Sequence, residues 1–206
     1  MSYAKLPEKE IELFKQLPTP KVIVDVGSRD DTEYYDIYPN AEYHLFEPNQ
    51  EFVKNLQDKV GDKPNVHINP VGVGDVEETQ KYSRSNQAFQ GGEAPIPTAE
   101  DTYRIINLDR YVIEHDIRAV DFLKIDAEGY DFKVLLGAPE TIQRTKFIQY
   151  EHWDNKKQYH ALLGEWFDME YVGYRNVLCM NKSLVDVNTR NAIREFIDFH
   201  KYKLLG

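Results

Sequence analysis

Only one cysteine, Cys179, occurs in the 206 residues of this chain, which excludes an internal disulfide and fits a reducing compartment. No apolar run is long enough to span a bilayer. Met1 to Leu17 carries Lys5, Glu8, Lys9, Glu10, Glu12 and Lys15, which leaves no apolar core for a signal peptide. The expected location is cytoplasmic, with no membrane span. Basic residues are in deficit: 25 Lys and Arg stand against 35 Asp and Glu, for a net charge of −10. That balance argues against a nucleic-acid partner, because backbone phosphates are recognised by clustered Lys and Arg. Internal repeats and low-complexity tracts are also missing. What remains is an ordinary globular composition, 41% hydrophobic and 29% charged, long enough for one well-cored domain and short for two.

Along the chain, strands and helices alternate. A short amphipathic helix with Ile11, Leu13, Phe14 and Leu17 precedes a break at Pro18 and Pro20. Lys21 to Val26 is a β-branched run, the pattern of a strand buried on both faces. A turn at Gly27-Ser28-Arg29-Asp30 leads into a helix that stops at Pro39. Glu42 to Phe46 is the second strand, followed by a helix carrying Phe52, Val53, Leu56 and Val60. Val66 to Asn69, Asp121 to Ile125 and Lys146 to Tyr150 continue the series. This alternation predicts an α/β fold with a parallel sheet covered on both faces. Met169–Tyr174 and Asn176–Met180 predict an antiparallel hairpin, which makes the sheet mixed. Residues 1–206 read as a single domain. A helical extension covers 1–20, a lid loop containing Gly91-Gly92 and Pro95-Ile96-Pro97 covers 83–102, and a last helix covers 189–206.

Three strand ends carry chemistry. After Asp25-Val26-Gly27 the glycine admits a ligand to the backbone, and the next helix offers free N–H groups. The full Gly-x-Gly-x-x-Gly fingerprint is missing, and Asp30, Asp31 and Glu33 would repel a pyrophosphate. An amino-acid moiety fits better, its ammonium facing Asp25 or Asp30. Glu47 stands 20 residues after Gly27, at the end of the second strand, where a carboxylate can accept from both ribose hydroxyls. In Phe122-Leu123-Lys124-Ile125-Asp126-Ala127-Glu128-Gly129, a buried strand runs into two carboxylates and a glycine turn. Each of these also has a plain structural reading as a turn or a helix cap.

The ordered series of Asp25-Val26-Gly27, Phe46-Glu47-Pro48, Val71-Gly72-Val73-Gly74-Asp75, Ile106-Asn107-Leu108-Asp109, Leu123-Lys124-Ile125-Asp126-Ala127-Glu128-Gly129 and Gln149-Tyr150-Glu151-His152 resembles the FkbM family of S-adenosylmethionine-dependent methyltransferases. The likeness covers residues 21–182. It implies a class I, Rossmann-like three-layer sandwich whose seven-stranded, mainly parallel sheet has an antiparallel last strand. It also implies S-adenosylmethionine as cofactor, S-adenosylhomocysteine as product, and O-methylation of a saccharide, glycolipid or natural product. One departure is Arg29-Asp30-Asp31, where family members carry Asn-x-Gly. Carried over by position, Asp25, Gly27 and Ser28 would flank the methionine end, Glu47 the ribose and Gly72 the adenine. Asp126 would face the cofactor and the reacting centre.

Methyl transfer from a sulfonium is an in-line displacement, so the protein supplies alignment and a base for the acceptor's proton. Asp126, Glu128, Glu151 and His152 form the candidate set, with Asp126, His152 and Glu128 expected as catalytic. A divalent metal at these strand ends, with Asp154-Asn155 nearby, is an option but is not expected. His44, His67, His115, His160 and His200 read as surface or packing residues, and Cys179 as packing. The expected partner is a small-molecule or glycan acceptor, and the protein a monomer or homodimer. Two other readings stay open: a nicotinamide-dependent Rossmann oxidoreductase, and a catalytically inactive S-adenosylmethionine-binding module.

Overall fold

The computed structural model describes residues 8–30, 33–81, 102–152, 156–172 and 175–204. Ten strands and eight helices occur in these residues. The amino-terminal half contains α1 (Glu8–Phe14), β1 (Val22–Val26), α2 (Glu33–Ile37), β2 (Glu42–Phe46), α3 (Gln50–Val60) and β3 (Val66–Asn69). Next come β4 (Gly72–Val73), β5 (Glu78–Lys81), β6 (Thr102–Ile106) and α4 (Leu108–Glu114). The rest is β7 (Val120–Ile125), α5 (Asp131–Leu136), α6 (Pro139–Gln143), β8 (Thr145–Glu151), α7 (Lys156–Leu163), β9 (Phe167–Tyr171), β10 (Asn176–Asn181) and α8 (Val187–Leu204).

The main sheet has seven strands in the order β3-β2-β1-β7-β8-β10-β9. β1 pairs in parallel with both β2 and β7, and β7 in parallel with β8. β10 runs antiparallel to β8 and β9 and lies between them. The chain order therefore reverses beside β1, and in open α/β sheets that switch point is where ligands bind, beyond the carboxyl ends of the strands.

Both faces of the inner part of the sheet are buried, so β1, β7 and β8 carry buried side chains without alternation. Val24, Val26, Phe46, Leu123, Ile125 and Ile148 face one core, and Ile23, Tyr43, Leu45, Phe122 and Phe147 face the other. The expected amino-terminal extension joins the second core, where Leu13, Phe14 and Leu17 are buried. Helix α3 fits its sequence pattern: Asn49 accepts from the Glu51 N–H as the cap, and Phe52, Val53, Leu56 and Val60 are buried. Fully burying one such side chain contributes about 1.5–3 kcal/mol. Cys179 is fully buried and desolvation pushes its thiol up, as expected of a packing residue.

The sequence pattern did not predict a second, three-stranded sheet in the order β4-β6-β5. Its polar strand Glu78–Lys81 carries no apolar alternation. Asn107 and Asp109, both in the motif series, act as caps. Asn107 accepts from the Arg110 N–H, and Asp109 accepts from the Glu140 and Thr141 N–H groups. The expected lid lies outside the described residues except for Thr102, which opens β6. Trp153, Asp154 and Asn155 lie outside them as well.

Candidate active site

The turn after β1 is built against the end of β7. Gly27 has φ +80°, and a Cβ there would lie 1.9 Å from the Asp126 carbonyl oxygen. Glycine is thus required by both conformation and crowding. The Asp126 N–H donates to the Val26 carbonyl at 2.9 Å, and the Gly27 and Ser28 N–H groups both donate to Phe46. Ser28 is buried, and its hydroxyl donates to the Asp25 carbonyl at 2.9 Å, closing the turn.

Glu47 fastens this turn to β2. One carboxylate oxygen accepts the Arg29 N–H at 2.9 Å and the other the Asn49 N–H at 2.8 Å. Each oxygen keeps a further lone pair. Burial pushes the carboxyl up to about 7, opposed by those two N–H donors. The side chain therefore does what a loop clamp does, and it remains able to accept hydroxyl donors.

Asp25 and Asp30, expected to face a ligand ammonium, sit against lysines of the protein. The register places Asp25 opposite Lys124, whose Nζ lies 3.1 Å from Asp25 Oδ1, 3.5 Å from the Gly27 carbonyl and 3.9 Å from Asp126 Oδ2. Asp30 pairs with Lys59 at 3.4 Å, and Lys59 also donates to the Asp30 carbonyl. A buried carboxylate is expensive without a cation, which is why both positions carry one. Sequence reading did not give Lys124 a role, because its partner is 99 residues away.

The segment after β7 turns through two residues with left-handed φ, Glu128 at 50° and Gly129 at 92°. Beyond it, Asp131 is fully buried and accepts the Glu151 N–H at 3.1 Å and the Gly129 N–H at 3.3 Å. Asp131 therefore ties the β7 turn to the end of β8, a second role that sequence reading missed. Burial and the nearby Asp126 push its carboxyl up to about 7. Glu128 is also pushed up to about 7, by partial desolvation and then by the Asp126 and Glu151 carboxylates. The Asp126 side chain is half-exposed at the mouth of the strand end.

Ile125 pairs with Tyr150, so continuing the register sets Asp126 level with Glu151, with His152 one residue further. His152 is buried, its N–H donates to the Arg175 carbonyl at 3.0 Å, and its ring packs edge-on to Tyr171. Its Nε2 is buried and has no hydrogen-bond partner among the described residues. Desolvation, then the Lys156 and Arg175 charges, pull the imidazole below its ordinary value.

Gly72 is half-buried in β4, where a Cβ would meet the Tyr103 ring at 3.2 Å. The small sheet is joined to the turn after β7 through Gln80, which donates to the Tyr130 hydroxyl at 2.9 Å and accepts from the Tyr103 hydroxyl at 3.0 Å. Gly72 thus belongs to a layer packed on the site rather than to the main sheet.

The strand order, with β10 inserted antiparallel beside β8, and the cluster of functional groups at the switch point define a class I methyltransferase fold. The family model of the FkbM methyltransferase domain matches residues 24–176, and the chain belongs to that family. The 2-O-methyltransferase NoeI of Sinorhizobium fredii is 22% identical over 172 residues, covering 72% of this chain and 69% of that protein. The solved methyltransferase FkbM from Methylobacillus flagellatus superposes with a TM-score of 0.59 at 13% identity, over 85% of this chain and 48% of that one. This chain thus spans about half of that longer protein. TrmK of M. capricolum, solved with S-adenosyl-homocysteine, gives a TM-score of 0.50 at 10% identity over 97% of this chain. Likeness at these identities shows a common fold. Family membership removes the reading as a nicotinamide-dependent oxidoreductase.

Proposed function

We propose that this methyltransferase uses S-adenosylmethionine to methylate a hydroxyl oxygen on a small polar acceptor of the saccharide class. The observation that carries the oxygen assignment is His152. A neutral, buried imidazole whose Nε2 is unengaged among the described residues sits next to Glu151, level with the strand end that presents Asp126. A hydroxyl must lose a proton during transfer, and such a nitrogen can take it. The likeness to NoeI supports the same reading.

The residues present fit the cofactor. The acidic surroundings of Asp126, Glu128 and Glu151 suit a cationic ligand. Glu47 retains lone pairs for ribose hydroxyls, and the turn at Gly27 and Ser28 holds the methionine end, with Asp25 positioned by Lys124. When bound, the cofactor supplies an electrophilic methyl group. Asp126 orients the reacting centre, His152 receives the acceptor's proton at Nε2, and Glu128 supports the turn.

Calorimetry with S-adenosylhomocysteine should show one site per chain. Glu47→Gln should weaken it about tenfold or more, as expected for losing charged hydrogen bonds of about 1.5–3 kcal/mol. A wild-type protein that bound no S-adenosylhomocysteine would sink the cofactor assignment.

Turnover on a panel of hydroxyl-bearing glycans, read as S-adenosylhomocysteine release, separates an active enzyme from an inactive binding module. His152→Ala should lower the rate about 10²–10⁴-fold while cofactor affinity holds. Since the His152 imidazole titrates below its ordinary 6.5, the wild-type rate should stay level to below that pH. It should then fall on further acidification, as the base becomes protonated. Full activity in His152→Ala, or a rate that rises towards acid, would refute the assignment.

A further inference from the structure

The histidines at positions 44 and 67, which the sequence offers only as scattered surface or packing residues, meet in space. Register pairs His44 of β2 with His67 of β3, and Glu42 lies two residues before His44 on the same strand face. Glu42 Oε1 is 3.3 Å from His44 Nε2 and 3.5 Å from His67 Nε2. One donor atom from each of the three residues falls within 4.8 Å of the others. His44 is 1% exposed, whereas Glu42 and His67 are half-exposed at the sheet edge.

His44 is held through its other nitrogen: Nδ1 lies 2.9 Å from the Tyr111 hydroxyl, a pairing in which either group can donate. The buried Nε2 makes no hydrogen bond among the described residues, although Glu42 Oε1 lies 3.3 Å away. With the His44 proton on Nδ1, Nε2 offers a lone pair beside a carboxylate oxygen, and a cation between the two satisfies both.

We propose that Glu42, His44 and His67 bind a divalent ion of the zinc class. Metal–ligand bonds of about 2.0–2.1 Å at tetrahedral angles put neighbouring donors about 3.3–3.4 Å apart, close to both Glu42–His distances. The stacked rings of His44 and His67, with centroids 4.8 Å apart and planes at 16°, come into convergence when the exposed His67 ring tilts. Tyr111 orients His44 through its other nitrogen, the usual support for a metal-bound imidazole. Three protein donors leave the fourth position to solvent. Glu42 opens β2, whereas Phe46 ends it at the cofactor side, so the ion is a staple at the far end of the sheet. It ties the edge strand β3 to β2.

The test is chelator-treated full-length protein titrated with zinc, and with cobalt for its absorption spectrum. One ion per chain should bind, cobalt should give the bands of a four- or five-coordinate nitrogen–oxygen site, and zinc should raise the Tm. His67→Ala and Glu42→Gln alter half-exposed side chains, so both variants should fold. Each should weaken binding about tenfold or more, and Tyr111→Phe by about tenfold. The absence of saturable zinc binding by the wild type would overturn the proposal. So would wild-type affinity in both His67→Ala and Glu42→Gln.

Discussion

Gly27→Ala should lose about 3 kcal/mol or more of stability in urea denaturation. Left-handed backbone costs a non-glycine residue about 1–2 kcal/mol. The new methyl group would also lie 1.9 Å from the Asp126 carbonyl oxygen, a backbone atom that no rotamer change can move. Forcing such a shift costs about 1–3 kcal/mol more. Against a total stability of about 5–15 kcal/mol this is severe. Gly129→Ala provides the control, because its φ is +92° but nothing lies within 4 Å of the added carbon. It should lose only the conformational part. If the two variants proved equally stable, the close approach of β1 and β7 would not exist. S-adenosylhomocysteine affinity should fall with Gly27→Ala well beyond its fall with Gly129→Ala.

Lys124→Met is expected to be as damaging, by about 3–5 kcal/mol, because it takes the cation away from the buried carboxylate of Asp25. Adding Asp25→Asn removes the buried charge and should restore much of the loss, since deleting both members of a buried pair costs less than deleting one. A double variant no more stable than Lys124→Met would show that the pair is not the source of the effect.

The fold was legible where burial dominates. Val22–Val26 and Glu42–Phe46 follow the expected boundaries closely, because strands covered on both faces are largely apolar, and Val66–Asn69 follows them at the sheet edge, bounded by Pro64 and Pro70. The polar strand β5 and the short mixed strand β6 gave no such signal, since pairing and cover from neighbours hold them rather than any pattern of their own. Gly27, Glu47 and Asp126 stand out as candidates through their positions at strand ends, a one-dimensional cue. Asp131 and Lys124 were missed as roles because each acts on a strand residue distant in the chain, Asp131 on Glu151 and Lys124 on Asp25. The meeting of His44 and His67 depends on the β2–β3 register, which no local motif records.

The longest-range pairing in the main sheet is that of β1 with β7, where Ile23 meets Phe122. The β1–β2 pair joins residues such as Val22 and Glu42. Closing the longer span takes a little over two further doublings of loop length, about 1.4 kcal/mol of additional chain entropy. The contact of Gly27 with Asp126 and the pairing of Asp25 with Lys124 both cross that seam. Until the seam closes, each half of the site exists without its counterpart. By loop closure alone this is the costliest docking in the main sheet, so the candidate catalytic cleft exists only once the seam has closed, and a nascent chain released before Asp126 has no site to offer.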